Sequence, residues 1–488
     1  MHRRGQPTVA IVGAGFGGIG MALHLLRAGI TDFTLFEKAD DLGGVWRDNS
    51  YPGAACDVPS SLYSFSFAPN RTWPRRYSGQ ADILSYLRRT VRDAGLTDRI
   101  RFATEVRLAE FDEAVGRWRL HLADGTTHEA DVLVPATGQL SRPAIPELPG
   151  ADTFRGQAFH SARWDHDVDL TDKRVAVIGT GASAIQFVPR IQPVVRHMTV
   201  FQRSAPYVVP KPDRGYLPLH HWLFRTVPLS QLTGRLGTWV TGELLTFALT
   251  SAPPLRRLVD RAFRMHLRRQ VGDPILRARL IPHYPIGCKR LLFSNDWFPA
   301  LDQPNVDLVT EPISRLTPTG VRTLDGIDHA ADVIVYGTGF HATEFLAPMC
   351  VRGMAGRELS AEWADGARAH LGITVPGFPN MFLVYGPNTN LGGNSILYMI
   401  ESQCRYIVQA IRRIAALGSA VDIRRDVADR FDDEMRRRLK DTVWSSCASW
   451  YRDPNGRVST NWPGLVWEYN RRTARLKPAD FREVRVHA

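Results

Sequence analysis

Two glycine-rich turns in this sequence have the residue types and spacing that hold the phosphates of a dinucleotide. The first, G-A-G-F-G-G at 13–18, follows the apolar run 8–12, and the second, G-T-G-A-S-A at 179–184, follows the run 174–178. Glycine allows a tight turn, a close approach of the backbone to the pyrophosphate, and close packing of helix on strand; alanine is permitted at the third place. The free N–H groups of the helix that follows face the phosphates. The pattern predicts two dinucleotides in one chain, which could pass hydride to each other.

The residue that ends the second strand of each unit distinguishes the two predicted sites. Glu37 follows Gly13 at about the 20-residue spacing expected of the acid that binds a ribose hydroxyl. At the same distance from Gly179 the chain has Arg203 and then Ser204. An arginine can pair with a 2′-phosphate and a serine can donate to it, whereas an acid would repel it. The second site is therefore predicted to bind NADPH, unless Arg203 is only an exposed strand-end residue.

Between the two turns lies the stretch F-R-G-Q-A-F-H-S-A-R-W-D at 154–165. It resembles the fingerprint of the type I Baeyer–Villiger monooxygenases, F-x-G-x-x-x-H-x-x-x-W followed by Pro or Asp. Its fixed places are filled by Phe154, Gly156, His160, Trp164 and Asp165. Related flavin-containing monooxygenases usually carry Tyr or Phe at the place of Trp164. The resemblance covers nearly the whole chain and is weakest over 213–284; a surface loop with an ordinary aromatic cluster is the alternative for the stretch itself.

The resemblance implies an α/β fold with two Rossmann-like dinucleotide-binding domains, for FAD and NADPH, and a helical insertion. It places FAD in the first site. Residues expected to contact FAD are Gly13, Gly15, Gly18, Glu37, Gly44, Val45, Trp46, Asp57, Tyr63, Val106 and Ile396. Residues expected to contact NADP are Gly179, Thr180, Gly181, Ser183, Ala184, Gln186, Arg203, Ser204, Lys289, Arg290 and Trp450. Without the resemblance, Gly44 would be read as part of a plain loop and Asp57 as a turn residue.

The resemblance also implies a reaction. In the family a C4a-peroxyflavin attacks a ketone carbonyl, so that one oxygen atom of O2 is inserted next to the carbonyl and an ester or lactone results. Negative charge builds up on the peroxide and then on the former carbonyl oxygen. A guanidinium suits both because it stays protonated and presents several donors.

Arg290 is the candidate for that guanidinium, and Asp57 is expected to orient it. Lys289, beside it in the sequence, is expected to reach the NADP phosphate. His160 and Trp164 are interpreted as coupling the domains and positioning NADP, although a catalytic role for His160 stays open.

Three other functions compete with this one. A flavin monooxygenase that oxidises nitrogen or sulfur centres would need no arginine that stabilises an anion. A pyridine nucleotide–disulfide reductase shares the two-nucleotide architecture but needs a redox cysteine pair, which the sequence lacks. A non-enzymatic cofactor-binding or membrane-surface module would depend on the basic stretch 255–270 alone.

The order of the predicted strands and helices along the chain indicates five segments. They are an FAD-binding segment at 1–142, an NADP-binding segment at 143–212, a helical insertion at 213–284, an NADP-binding segment at 285–330, and an FAD-binding segment with a C-terminal loop at 331–488. Within the insertion, the apolar part of 236–252 is too short to span a bilayer. The stretch 255–270 is basic and amphipathic. It could rest on a membrane surface, but a helical cap over the substrate site is favoured.

The amino-acid composition further restricts the class of protein and its compartment. The formal charge of +12 could suggest nucleic acid, but the arginines are dispersed, so we read it as cofactor steering and solvated surface, with a small-molecule ketone and O2 as partners. The five cysteines are scattered without a C-x-x-C pair, which argues against a disulfide framework and a zinc site and for a reducing compartment. The first predicted strand begins near Thr8, leaving no room for a signal peptide. A cytoplasmic enzyme without a metal is expected.

Overall fold

The computed structural model of the chain describes residues 6–250 and 252–484. Its strands are β1 (Val9–Val12), β2 (Phe33–Phe36), β3 (Ile100–Arg101), β4 (Val106–Asp112), β5 (Arg117–Leu122), β6 (Thr127–Ala130), β7 (Val132–Pro135), β8 (Gln157–His160), β9 (Arg174–Ile178), β10 (His197–Phe201), β11 (Val208–Val209), β12 (Leu292–Phe293), β13 (Val306–Val309), β14 (Ile313–Thr317), β15 (Gly320–Thr323), β16 (Asp328–Ala330), β17 (Val333–Tyr336), β18 (Cys350–Arg352), β19 (Ala420–Ile423) and β20 (Phe481–Val484).

Helices connect these strands and form the insertion. They are α1 (Phe16–Arg27), α2 (Val45–Asp48), α3 (Gln80–Asp93), α4 (Ala184–Ile191), α5 (Pro218–Thr226), α6 (Pro228–Thr250), α7 (Pro253–Gln270), α8 (Pro274–Arg279), α9 (Trp297–Leu301), α10 (Leu359–Glu362), α11 (Ile396–Leu417), α12 (Arg425–Lys440) and α13 (Val466–Thr473). The predicted α/β class is confirmed.

The first nucleotide unit is a parallel sheet in the order β3-β2-β1-β7. All four residues of β1 are buried, as the apolar run predicts for a strand covered on both faces. The turn after β1 requires glycine at both ends: Gly13 has φ +106°, and a Cβ on Gly18 would overlap the Gly13 carbonyl oxygen. Gly18 thus serves the close packing of α1 on β1 rather than a ligand. A second sheet, β18-β4-β5-β6, covers the far side of this unit.

The second nucleotide unit is a parallel five-stranded sheet in the order β13-β10-β9-β17-β8. Strand β17 pairs with both β9 and β8, for example Val335 with Val177 and Phe159. The predicted return to the FAD-binding domain at residue 331 is therefore wrong, because this strand completes the second sheet. A short apolar run after an acidic turn fits either sheet, and only the pairing distinguishes them.

The insertion, α5 to α8, is held to the rest of the chain by one buried and one partly buried charged side chain. Glu243 of α6 accepts hydrogen bonds from the Val466 backbone N–H at 3.1 Å and from the Asn394 side chain at 2.8 Å. Arg235 donates to the carbonyls of Ser61 and Ser64, both at 2.9 Å. None of the described helices is long and apolar enough to cross a membrane.

One cysteine pair contradicts the sequence interpretation. Cys288 and Cys447 form a disulfide, with an S–S distance of 2.07 Å and Cα atoms 6.2 Å apart. The argument against disulfides fails for this pair, because the two residues are 159 positions apart and only the fold brings them together. The bridge joins the segment before Lys289 to the C-terminal loop that carries Trp450.

Candidate active site

The carboxyl ends of the two nucleotide sheets open into one cavity of about 1810 Å³. Both glycine turns line it, through Gly13 and Gly15 on one side and Gly179 and Gly181 on the other. Ligands of open α/β sheets bind beyond the carboxyl ends of the strands. The position and size of the cavity therefore suit two dinucleotides held end to end.

The first half of the cavity has room where a pyrophosphate must approach. A Cβ built on Gly15 would meet only the Gly44 backbone, with its Cα at 3.7 Å, so the space beside it is free on the cavity side. Glu37 is buried at the end of β2, where its carboxylate accepts from the Ala14 N–H at 2.9 Å and from the Arg47 side chain at 3.1 Å. The sequence analysis did not identify Arg47 as a site residue. Its position directly after the G-G-x-W loop was a signal that could have indicated it.

The same half offers a mostly apolar, aromatic wall. Trp46 donates from its indole N–H to the Tyr63 hydroxyl at 3.0 Å, and burial raises the pKa of Tyr63 well above its usual value. Val45, Val106 and Ile396 complete the wall. All of these were predicted, and the surface fits the flat ring system of a flavin.

Asp57 and Arg290 meet at the junction of the two halves. Arg290 donates from Nε and Nη2 to Asp57 Oδ2, at 2.8 and 2.5 Å. The charge of Asp57 raises the pKa of Arg290 above that of a free guanidinium, although desolvation opposes it. No hydrogen bond to Nη1 is found among the described residues, and the side chain, 32% exposed, lines the cavity. The site therefore presents a fixed positive charge to whatever binds between the two nucleotides.

Two tyrosines near Arg290 were missed as site residues. Tyr385 lines the cavity, donates its hydroxyl to Asn390 at 2.9 Å and has a positive φ of +64°. Tyr451 is fully buried, and its pKa is raised to about 12 by desolvation. Both stay protonated at neutral pH and add no negative charge beside Arg290. The Y-G-P-N segment at 385–388 carried a usable signal, whereas Tyr451 carried none.

The second half of the cavity gathers three groups that suit a phosphate. Arg203 and Ser204 follow β10, and Lys289 donates to the Ser204 hydroxyl at 2.8 Å. Lys289 also lies 4.6 Å from the ring centroid of Tyr284. Desolvation and the positive charge of Arg203 both lower the pKa of Lys289. Arg203 and Lys289 are close enough to repel each other. A bound dianion would relieve this repulsion, as the prediction of a 2′-phosphate site requires.

Gln186 of α4 connects the two nucleotide units directly. It accepts from the Tyr51 hydroxyl at 3.0 Å and from the Ala55 N–H at 3.2 Å, and it donates to the Ala55 carbonyl at 3.0 Å. Its predicted role was NADP contact. It does line the cavity, but its side chain is occupied by the Tyr51–Asp57 loop. Gln186 thus fixes the loop that presents Asp57.

The fingerprint residues form no part of the cavity wall in the described chain. Trp164 packs edge-on against Phe159 and at a tilt against Phe187 of α4, with centroids 5.2 and 5.4 Å apart. A Cβ on Gly156 would overlap the Asp332 carbonyl, so only glycine fits beside β17. Asp165 accepts from the Asp167 N–H at 3.0 Å. These contacts agree with the predicted coupling role for the stretch and leave NADP positioning indirect.

His160 and Phe154 belong to the same buried edge. His160 is 2% exposed, packs against Phe340 at 5.6 Å, and accepts from the Ala162 N–H at 3.1 Å. Burial lowers its pKa to about 4, so it is neutral at pH 7. Phe154 packs on the core that also contains Leu316. A proton-transferring His160 has no access to the cavity in this arrangement.

Most of the remaining predicted residues line the cavity, and one is buried in the protein interior instead. Gly44, Thr180, Ser183 and Trp450 line the cavity, and Trp450 lies 4.3 Å from the ring of Tyr451. Ala184 is buried instead, opposite Gly337, where an added Cβ would come within 3.4 Å of the Ala184 Cβ. Within the described part of the predicted insertion only Tyr284, at its end, lines the cavity, so the expected cap over the substrate site stays a prediction. The insertion touches the wall indirectly, through Asn394.

Comparison with known proteins gives a consistent result. A model of the family described as flavin-binding monooxygenase-like matches residues 6–245. A curated Baeyer–Villiger monooxygenase of Streptomyces coelicolor is 46% identical over 481 residues, which cover 98% of this chain and 92% of the relative. A solved structure of oxidised steroid monooxygenase bound to NADP matches with a TM-score of 0.88 at 30% identity, over 98% of this chain and 99% of that one. A structure of OTEMO in complex with FAD and NADP matches with a TM-score of 0.89 at 25% identity, over 98% and 100%.

Proposed function

Because the chain belongs to the Baeyer–Villiger monooxygenase family, we propose that it uses FAD, NADPH and O2 to insert one oxygen atom next to a ketone carbonyl, giving an ester or lactone. The observation that carries this assignment is Arg290, fixed by Asp57 and facing the cavity between the two nucleotide turns. An oxidation that passes through an oxygen anion needs a preorganised positive charge at that place.

We assign the two halves of the cavity to the two cofactors. FAD would lie along Gly15, Glu37 and the wall of Trp46 and Tyr63, and NADPH along Gly181, Arg203 and Lys289, by the contacts described above. Bound FAD, reduced by NADPH, supplies the activation of O2. The chain itself holds both cofactors, keeps a positive charge at their junction and couples the two units through Gln186.

Arg290 would act as the stabiliser of developing negative charge on the substrate oxygen. Its Nε and one Nη2 hydrogen are used by Asp57, which leaves Nη1 to donate into the cavity. Since the pKa of Arg290 is raised by Asp57, the guanidinium is not a proton donor and serves as a permanent charge. Tyr385 and Tyr451 would limit the free rotation of this pair by packing around it.

The assignment is tested by product analysis with a panel of ketones and thioethers, supplied with NADPH and oxygen. Wild-type protein should convert at least one ketone to an ester or lactone with one NADPH consumed per product. If thioethers and amines are oxidised but no ketone in a broad panel reacts, the enzyme is a flavin monooxygenase for sulfur or nitrogen centres. NADPH oxidation without any oxygenated product would contradict both assignments.

Arg203→Ala should shift the cofactor preference without harming catalysis. A charge-assisted hydrogen bond contributes roughly 1.5–3 kcal/mol, or about ten- to a hundredfold in affinity. The KM for NADPH should rise by that factor, while the KM for NADH, which lacks the 2′-phosphate, should stay nearly unchanged. Arg196→Ala is the matched control, since Arg196 precedes the same strand and, among residues 6–250 and 252–484, pairs only with the exposed Asp172. Equal losses with both cofactors would remove the 2′-phosphate assignment.

The remaining assignments concern the small-molecule partners, the segment boundaries and the location of the protein. A ketone and O2 are the small-molecule partners that the proposed reaction requires. Of the five segments predicted from the sequence, we keep the order FAD, NADP, insertion, NADP, FAD and move the last crossing beyond Tyr336. A cytoplasmic location stays a prediction, and the Cys288–Cys447 bridge weakens the cysteine argument for it.

A further inference from the structure

The insertion exposes a face that nothing in the described part of the chain covers. Of the large hydrophobic side chains that are exposed in the structure, most lie between residues 217 and 275. On α6 they are Leu229, Leu232, Leu236, Val240, Leu244 and Phe247, each between 41% and 67% exposed. Their spacing of three or four residues places them along one side of the helix. This apolar stripe is not a set of scattered surface residues.

The side of α6 that adjoins this stripe already has its partners. Glu243 and Thr246 are buried there, and Glu243 binds Val466 and Asn394. Arg235 is anchored on Ser61 and Ser64. Because the inward side is fixed by these contacts, the exposed stripe cannot be turned inward without breaking them. It is a permanent outer surface of the protein.

Helix α7, which packs against α6, has an exposed side that carries positive charge. Its exposed Leu258 and Met265 alternate with Arg257, Arg261 and Arg268 at helical spacing. These three arginines, together with Arg256 and Arg269, form no ion pair with any described residue. The side of α7 that faces the protein is formed by Phe263 and Leu267, which are buried. The helix thus has a core side and an outer side that is both apolar and basic.

We propose that this face, formed by the exposed residues of α5 to α7, docks on the surface of an anionic lipid bilayer. Apolar side chains between long basic ones are the composition of helices that lie in a membrane interface, where leucine and aromatic residues enter the acyl boundary and arginines meet the phosphates. Trp222 of α5, 57% exposed, adds an interfacial aromatic side chain. The contact that we propose is made by helices lying in the plane of the bilayer interface.

Charge distinguishes this occupant from a second copy of the chain. A symmetric contact through the same face would bring the unpaired arginines of two molecules together, each molecule with a formal charge of +12. Burial of the apolar stripe would then be opposed by repulsion between like charges. An anionic bilayer satisfies the apolar and the basic residues at once. The proposal does not depend on the reaction assigned to the cavity.

Sedimentation of the purified, flavin-loaded protein with lipid vesicles tests the proposal. The probes are vesicles of phosphatidylcholine alone and of phosphatidylcholine mixed with phosphatidylglycerol. The protein should bind the mixed vesicles at least ten times more tightly, and added salt should weaken that binding. No binding to the anionic vesicles at low salt would overturn the proposal.

Two triple variants separate the apolar and the basic contributions. Arg257→Gln/Arg261→Gln/Arg268→Gln should weaken binding to the anionic vesicles by about 10²-fold, at roughly fivefold for each arginine near the surface. Leu236→Ser/Leu244→Ser/Phe247→Ser should weaken it at least as much. Flavin content and ketone turnover without lipid should match wild type in both variants, because none of these residues touches the cavity.

A matched control excludes a simple effect of net charge. Arg196→Gln/Arg352→Gln/Arg430→Gln removes the same three charges from surface ion pairs elsewhere. It should bind nearly as well as wild type; an equal loss would show adsorption without a docking face. A wild-type dimer by analytical ultracentrifugation that the Leu/Phe variant abolishes would assign the face to a second copy and overturn the bilayer.

Discussion

Replacing Arg290 with alanine should lower the turnover number for ketone oxidation by about 10²–10³-fold. Removal of one preorganised donor to an oxygen anion typically has an effect of this size, and Arg290 is a full cation with donors free toward the cavity. Asp57 would then lack its partner, so its uncompensated negative charge would further oppose an anion in the cavity. The loss should appear mainly in the turnover number, because the anion is absent from the ground state.

Two other reactions of the same variant should be affected much less. Hydride transfer from NADPH to the flavin builds no oxygen anion, so stopped-flow reduction of Arg290→Ala should be within about tenfold of wild type, since only the position of the nicotinamide can suffer. Oxidation of a thioether does not require the anion either and should fall far less than ketone oxidation. A variant that still forms ester at nearly the wild-type rate would show that Arg290 is not the stabiliser.

Two substitutions serve as controls for Arg290→Ala. Arg290→Lys keeps a charge but loses the planar fork that binds Asp57, and we expect it to recover part of the ketone activity and no more. Arg174→Ala removes an arginine that also makes two side-chain hydrogen bonds to an aspartate, Asp332, at the amino end of the strands of the second sheet, away from the cavity. Arg174→Ala should retain turnover, so a comparable loss there would point to general destabilisation.

The second large effect concerns the two central glycines of the nucleotide turns. Gly15→Val should yield protein that lacks flavin, and Gly181→Val should yield yellow protein that NADPH no longer reduces at ordinary concentrations. A Cβ on Gly15 would meet only Gly44, at 3.7 Å, and one on Gly181 only the Gly337 carbonyl, at 3.8 Å. The fold therefore tolerates the first added carbon at both positions, and the larger side chain would occupy the space that the pyrophosphate needs.

The expected size of this effect follows from the hydrogen bonds that a displaced pyrophosphate could no longer accept. If there are two such charge-assisted bonds, of roughly 1.5–3 kcal/mol each, affinity falls by about 10²–10⁴-fold. The measurements are flavin absorbance per chain after purification and the NADPH dependence of flavin reduction. Each variant is the control for the other, since thermal unfolding should be similar in both when compared without cofactor. Full flavin occupancy in Gly15→Val, or loss of flavin in Gly181→Val, would contradict the assignment of the two turns.

Features that depend on local chain geometry follow directly from the order of the residues. A buried strand, a glycine turn, a helix and a second strand form one continuous unit, so the distance along the chain fixes where Glu37 and Arg203 emerge relative to Gly13 and Gly179. This is why both residues line the cavity as predicted. The type of side chain at these two positions then suffices to distinguish a ribose hydroxyl from a phosphate as the expected ligand.

Which distant segments meet depends on the packing of the whole fold. Asp57 and Arg290 are 233 positions apart, and Cys288 and Cys447 are 159 apart. Their pairing depends on how two sheets, the insertion and the C-terminal loop pack on one another. No local sequence pattern predicts that packing. The resemblance indicated the Asp57–Arg290 pair, but nothing in the sequence indicated the Cys288–Cys447 pair. For the same reason β17 was assigned to the wrong sheet, since its residues suit burial in either one.

The insertion shows most clearly what a sequence pattern does not predict. Apolar residues at helical spacing in α6 predict that one side of the helix is apolar, but they do not say what covers it. The structure buries the side with Glu243, whose carboxylate is satisfied by Val466 and Asn394, and leaves Leu236, Leu244 and their neighbours exposed. Glu243 is buried because its partners come from parts of the chain more than 100 residues away, whereas no described residue covers these leucines.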